Sequence, residues 1–213
     1  SGQVNVASVT TDAPGTVVFD IAGGATGTPS VTTTGVQTYN DAALLGLNTF
    51  LTSSTALGHI TFNSTVDTHA AAATFRSLEV NTGANTFFGD GGADNVGLTR
   101  ALLSLLTDAP AAANRGGNTT FNSTGAPTVT TTTFQTYNDA VVLAKDTVLT
   151  STLGGDVTFS STVTGGFNLG VNTAGATRFG NASGFAAGGV FASVTSGQVN
   201  VASVTTDAPG TVV

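Results

Sequence analysis

Residues 196–213 read SGQVNVASVTTDAPGTVV, and residues 1–18 read the same, letter for letter. A duplication of that length makes the chain slightly more than one period of something longer. Self-similarity at a fixed period is the signature of proteins that stack repeated units on one another, and it is foreign to enzymes built around one site.

A shorter period of ~98 residues lies inside the first. Gln37-Thr38-Tyr39-Asn40-Asp41-Ala42 returns as Gln135-Thr136-Tyr137-Asn138-Asp139-Ala140, and Leu51-Thr52-Ser53 returns as Leu149-Thr150-Ser151. Downstream, Ile60-Thr61-Phe62 matches Val157-Thr158-Phe159, and Val80-Asn81-Thr82 matches Val171-Asn172-Thr173. Thr11-Asp12-Ala13-Pro14 comes back at Thr107-Asp108-Ala109-Pro110 and at Thr206-Asp207-Ala208-Pro209. The chain divides into copy A, about residues 7–105, copy B, about residues 106–201, and the opening of a third at residues 202–213.

Only 8% of residues are charged and 40% are hydrophobic. Solubility must come from hydroxyls and amides, and a chain this apolar is not a disordered linker. Val, Thr, Ile and Phe favour extended backbone, which points to a packed all-β structure. A net charge of −7 with five scattered basic residues supplies no phosphate-binding footprint, which argues against nucleic acid. No apolar run is long enough to cross a bilayer, so no membrane insertion is expected in this segment. Without cysteine there are no disulfides or thiolate sites. Ser1 falls inside a repeat, so an export signal is expected outside the segment.

Short alternating stretches such as residues 4–9, 60–62 and 157–159 read as strands, punctuated every few residues by Gly, Asn or Asp. Residues 98–106 are the one helix-like run, but they align with the strand-like residues 200–205. Two architectures accommodate the period. One is a string of immunoglobulin-like sandwiches of about 100 residues each. The other is a right-handed parallel β-helix, a β-solenoid rod. Corners at Gly23-Gly24, Gly83-Ala84-Asn85, Gly154-Gly155-Asp156 and Gly165-Gly166 recur too often for seven long strands, and there is no Trp to anchor a sandwich. These features favour coils of roughly 20 residues, about ten in all, giving a rod of roughly 45 to 50 Å.

In such a coil the inward rows are Tyr39, Leu45, Leu51, Ile60, Phe62, Val66, Leu78, Val80 and Phe88. Their matches in copy B are Tyr137, Leu143, Leu149, Val157, Phe159, Val163, Leu169, Val171 and Phe179. Thr and Ser are expected on the outward rows, where β-branched Thr suits the extended backbone.

The run Val31-Thr32-Thr33-Thr34-Gly35-Val36 leading into Gln37-Thr38-Tyr39-Asn40-Asp41-Ala42, with Leu51-Thr52-Ser53 and Val171-Asn172-Thr173-Ala174-Gly175-Ala176-Thr177, resembles the repeats of very large bacterial surface proteins. These are the filamentous-haemagglutinin-like and autotransporter-like adhesins. The resemblance covers nearly the whole chain and implies an exported, rod-forming β-solenoid in cell attachment or extracellular fibres. Residues 67–73 and 90–100 depart from it and are expected to leave the rod as loops.

Reactive chemistry is sparse. His59 and His69 are the only imidazoles, and His59 stands where copy B has Asp156, which suits a solvated corner residue better than a catalyst. Glu79, the sole Glu, aligns with Gly170, and nothing singles out the convergent acid pair that a sugar hydrolase needs. Asp90, Asp94 and Asn95, set among glycines, form a weak Ca²⁺ candidate whose spacing fits no calcium loop and which reads first as a turn. The acceptor triplets at Asn63, Asn118 and Asn122 arise freely in a chain this rich in Ser, Thr and Asn. Asp12, Asp41, Asp108, Asp139 and Asp207 recur with their copies, which suits structural turns.

The expectation is therefore a non-enzymatic shaft of an adhesin or surface fibre, outside the cell or on its surface, whose partners are further copies of itself end to end or side by side. The alternative is a binding module whose loops at residues 67–73 and 90–100 present a site to host or neighbour-cell glycans or proteins.

Overall fold

A computed structural model describes residues 2–21, 28–109, 116–180, 198–207 and 210–213. The corner expected at Gly23-Gly24 lies outside the described residues. Each turn of the chain lays down three short strands. The first coil is β1 (Val4–Val6), β2 (Val9–Thr10) and β3 (Thr16–Phe19), and the second is β4 (Val31–Thr33), β5 (Gln37–Tyr39) and β6 (Ala42–Leu45). The third is β7 (Thr49–Ser53), β8 (Ile60–Phe62) and β9 (Val66–Thr68). The fourth has β10 (Leu78–Thr82) and β11 (Thr86–Phe88), with Val96 bridging to both neighbours in place of a third strand. The fifth is β12 (Leu105–Thr107), β13 (Asn118–Phe121) and β14 (Val129–Thr131); the sixth is β15 (Gln135–Tyr137), β16 (Ala140–Leu143) and β17 (Thr147–Ser151). The seventh is β18 (Val157–Phe159), β19 (Val163–Thr164) and β20 (Asn168–Thr173). The eighth is β21 (Ala176–Phe179), β22 (Val199–Asn200) and β23 (Ser203–Thr206), and β24 (Thr211–Val212) opens a ninth.

Stacked coil on coil, these strands form three parallel sheets. Face one runs β1-β4-β7-β10-β12-β15-β18-β21-β24 and face two β2-β5-β8-β11-β13-β16-β19-β22. Face three joins β3-β6-β9 to β14-β17-β20-β23 through Val96. Every ladder among the described residues is parallel, so the antiparallel sandwich alternative has no place. The result is an all-β, solenoid-like column with its core down the middle.

No helix occurs among the described residues, and the run at residues 98–106, whose alignment favours a strand, supplies β12 at residues 105–107, where Leu102 and Leu105 are drawn fully into the core. Two expectations are corrected. Coils are not uniformly about 20 residues long. The step is 20 residues where the corners are tight, as from Ser30 to Phe50, but 35 from Asn168 to Ser203. Eight coils and the start of a ninth therefore replace ten, and nine stacked strands span roughly 38 Å. Second, Thr and Ser are not confined to the outside. Thr33, Ser53, Thr82, Thr131, Ser151 and Thr173 are buried at strand ends. Their hydroxyls donate to corner carbonyls, for example Thr82 to Gly58 at 2.7 Å and Thr173 to Gly155 at 2.7 Å. A buried hydroxyl is tolerated because it satisfies a carbonyl that the corner takes out of the ladder.

All the expected inward residues are fully buried except Phe179, which is partly buried against the core. Down the axis runs an aromatic column: Phe19, Tyr39, Phe62, Phe88, Phe121, Tyr137, Phe159 and Phe179, with successive centroids 5.2 to 5.8 Å apart.

Residues matched by the ~98-residue period do not share a face. Gln37 to Tyr39 lie on face two and Gln135 to Tyr137 on face one; Ile60 to Phe62 and Val157 to Phe159 shift the same way. Counting Val96 as one position, a period holds eleven strand positions, or three and two-thirds coils. Each copy is consequently turned by one face relative to the copy before. The strands of residues 199–212 obey the same rule, lying on faces two, three and one where residues 4–19 lie on faces one, two and three.

Candidate functional site

The polar side chains group into corner acceptors, buried carboxylates and one pair of meeting loops. At the corners, a side chain of one coil accepts a backbone N–H of the next or the previous coil. Asn48 accepts from Ser77 at 3.1 Å, and its counterpart Asp146 accepts from Asn168 at 2.9 Å. His59 Nδ1 accepts from Asn85 at 3.0 Å, and Asp156 accepts from Ala176 at 2.8 Å. His59 and Asp156 thus do one job with different chemistry, which explains why the sequence tolerates either. Asp108 accepts from Thr82 at 3.0 Å, and Asp207 from Thr173 at 2.8 Å. These short polar side chains replace ladder bonds that the backbone loses at a bend.

Asp139 is 8% exposed, and its Oδ1 accepts the hydroxyls of Thr107 and Thr119, each at 2.9 Å. Burial pushes its carboxyl up to about 6 in spite of those donors. Burial also raises Tyr137, with the Asp139 charge adding to the effect. Tyr137 donates to Gln135 at 2.8 Å, and Gln135 Nε2 donates to the Thr150 carbonyl at 2.9 Å. Copy A repeats this chain of bonds through Tyr39, Gln37 and Thr52. The equivalent Asp41 differs: its Oδ1 is buried without a hydrogen-bond partner, and Val17 stands in the strand that carries Thr119 in copy B. Sequence reading took these aspartates as turn residues and missed their burial, which only the stacking of coils reveals.

The two loops expected to leave the rod do meet, but Asp67 and Thr68 belong to β9 and are buried. They are held there because Asp67 Oδ1 accepts the N–H groups of Thr99 and Arg100, each at 3.0 Å, and burial raises the Asp67 carboxyl. Arg100 donates to the carbonyls of His69, Ala70 and Ala72 and lies 5.6 Å from the Phe75 ring centroid. Its guanidinium thus holds the loops together.

The Ca²⁺ candidate separates. Asp94 Oδ2 accepts from the N–H groups of Asp90 and Gly92, and burial together with neighbouring Asp90 raises its carboxyl. Asn95 is buried and donates its Nδ2 to the Pro127 carbonyl, away from those turns. Among the described residues no three of His, Cys, Asp or Glu gather where one metal ion could hold them. The His69 imidazole Nδ1 accepts from Ala71 in its own turn, Glu79 accepts from Asn81, and Asn63 donates to Asn40 in the ladder.

The corners also carry exposed apolar side chains. Leu57, 80% exposed, stands between faces one and two, whereas Leu153, 77% exposed, stands between faces three and one. On that second edge the backbone links Arg76 to Leu103, Leu103 to Thr133, and Thr132 to Leu153. Phe75, Phe134 and Leu153 therefore line one edge over several coils. Comparison with protein-family models, with curated proteins and with solved structures finds no match to this chain.

Proposed function

We propose that this chain is a segment of the shaft of an exported bacterial adhesin or surface fibre, extended by further copies of itself end to end. Its coils wind right-handed, as crossovers between parallel strands nearly always do. The observation that carries the reading is the aromatic column, which passes from Phe88 to Phe121 and so from copy A to copy B without a gap. A core that continues through its own repeat can be lengthened one period at a time, and each copy contacts only its neighbours. The polar groups support the same reading, since His59, Asp108, Asp139, Asp146, Asp156 and Asp207 are engaged in corners and ladders. The sparse charge and the hydroxyl-rich outer rows suit a long exported rod. Glycan- or protein-binding by the flank is the second reading, favoured by the exposed Phe75, Phe134 and Leu153 on one edge.

Concatenating the period tests the shaft. Each added copy should lengthen the particle by roughly 18 Å in solution scattering, with a strong ~4.8 Å reflection along the axis of drawn fibres. Particles that grow as flexibly linked beads would overturn it. Loss of cell or glycan binding on Phe134→Ser and Leu153→Ser, with the rod intact, would favour the second reading.

A further inference from the structure

The fourth coil carries opposite charge on the two flanks of face three. Before the face, a glycine-rich turn at residues 89–94 sets exposed Asp90 beside Asp94. Beyond Val96 the chain leaves the ladder and rejoins it at Leu102, both of which bridge to β14. The intervening residues 97–101 stand out from the face, with Leu98 exposed and Arg100 next to Phe75 of the loop before β10. Arg76 follows Phe75, so two guanidinium groups and two exposed apolar side chains form one knob. Among the described residues the one ion pair joins Arg178 to Asp156, and Arg76 Nε is buried without a hydrogen-bond partner. The same flanks in the adjoining coils are neutral, at residues 63–65 and 122–128 on one side and at residues 46–48 and 132–134 on the other.

We propose that face three of one molecule docks side by side on face three of a second copy, columns pointing the same way, with the Arg76 and Arg100 knob of each against the Asp90 and Asp94 turn of the other. A two-fold axis parallel to the column exchanges the flanks of the face and keeps every coil at its own height. Acid and base on one coil are therefore matched twice in one dimer. A two-fold axis across the column would set knob against knob and turn against turn.

Charge selects this occupant. An anionic surface would suit the knob but repel the turn, whereas a second face three offers both signs at the required spacing. Burial and the neighbouring Asp90 charge already raise the Asp94 carboxyl, and a guanidinium fork relieves such a pair. Gly91, Gly92 and Ala93 present little side chain, which leaves Phe75 and Leu98 a flat backbone to cover. In the first coil both flanks are acidic, with Asp12 and Asp20 exposed, so the contact is confined to the coils around the fourth. Exposed ion pairs are individually weak and screened by salt, which makes the dimer salt-sensitive.

The chain has no cysteine, so single cysteines report the contact. Full-length Thr74→Cys and Ala93→Cys proteins, each substituted at an exposed position, are mixed and treated with a short bismaleimide. A 74–93 dimer should form at several times the yield of either protein alone, and high salt should suppress it. Arg76→Glu added to the first protein, or Asp90→Arg added to the second, should each cut the dimer several-fold. Mixing the two doubly substituted proteins should restore it, which also shows that both are folded. Crosslinking that favours 74–74 or 93–93, no dimer in any mixture, or a loss that the opposite charge fails to restore overturns the docking. Co-sedimentation with phosphatidylglycerol vesicles that Arg76→Glu abolishes, without a 74–93 dimer, would assign the knob to a membrane instead. All of these failures leave end-to-end extension standing, since the concatenated proteins test that separately.

Discussion

Phe121 and Tyr137 meet edge to face, with ring planes at 87° and centroids 5.4 Å apart. Elsewhere in copy B the column is nearly parallel, 6° between Phe159 and Phe179. The right angle follows from the column's change of face within the copy, from β13 on face two to β15 on face one. On its own face Phe121 is succeeded by Leu143, so the next ring must reach in from the adjacent face. Phe19 and Tyr39 meet at 77° for the same reason, Phe19 being followed on its face by Leu45. Edge-to-face contact keeps aromatic attraction through the change of direction. Tyr137→Phe should keep the ring contact but leave buried Gln135 Oε1 without its donor, costing about 1–2 kcal/mol in chemical denaturation. Phe88→Ala, within a parallel stretch, should cost about 3–5 kcal/mol by opening a cavity.

Asp139 sets a pH dependence. Its folded-state carboxyl is raised from 3.8 to about 6, so between those values the native state holds a proton that the unfolded chain has lost. Its contribution to stability is therefore greatest below the unfolded value and declines as pH rises to about 6, by roughly 3 kcal/mol in all. Asp139→Asn keeps Oδ1 for Thr107 and Thr119 and removes the charge. The variant should be more stable than the parent by on the order of 2 kcal/mol near pH 7.5, and the two should converge near pH 4. Urea midpoints at both pH values check this; equal differences at the two would contradict it.

The inward Leu, Val, Ile and Phe were legible in the sequence because alternation over three residues already separates the sides of a strand. Parallel stacking was legible from the frequency of glycine corners. The inward Thr were not, since Thr33 and Thr32 look alike until a corner carbonyl is placed above one of them. Nor was the coil count, because inserted residues at corners lengthen a turn without adding a strand. The change of face between copies depends on the number of strands in a period, and a single bridge at Val96 in place of a strand decides it. Asp139 was read as a turn residue because its burial comes from Thr107 and Thr119, which lie in the preceding coil.

The equivalence of His59 and Asp156 predicts an exchangeable position. His59→Asp should accept the Asn85 N–H as Asp156 accepts that of Ala176, and leave stability within about 0.5 kcal/mol at neutral pH. His59→Ala removes the acceptor and should cost about 1 kcal/mol. Denaturation of the three proteins side by side distinguishes a corner cap from a residue retained for its imidazole, for which both changes would be equally damaging to a function and neutral to stability.

Arg100 holds the loop after β9 by bonds to three carbonyls. Arg100→Ala should release that loop while the ladders stay intact, seen as faster limited proteolysis between residues 69 and 77. Amide exchange in β10 should be unchanged, since its partners are β7 and β12 and not the loop. Protection lost throughout the column would show instead that the guanidinium supports the core.

Eleven strand positions per period make the column a threefold screw in its repeats. Leu57 and Leu153 already stand on different edges, although both occupy the corner after the Leu-Thr-Ser strand. A protein of four tandem periods, with cysteine placed at each of these corner leucines and labelled with gold, should show marks advancing by roughly 18 Å and turning by one edge each time. The fourth mark should fall above the first after eleven coils, roughly 53 Å along the axis. Because lateral contacts between rods would use whichever edge faces a neighbour, this rotation would let one shaft present the same corner on three sides. Marks aligned along a single edge would mean that a whole number of coils fills each period, and the change of face seen between Gln37 and Gln135 would then not be carried along an array.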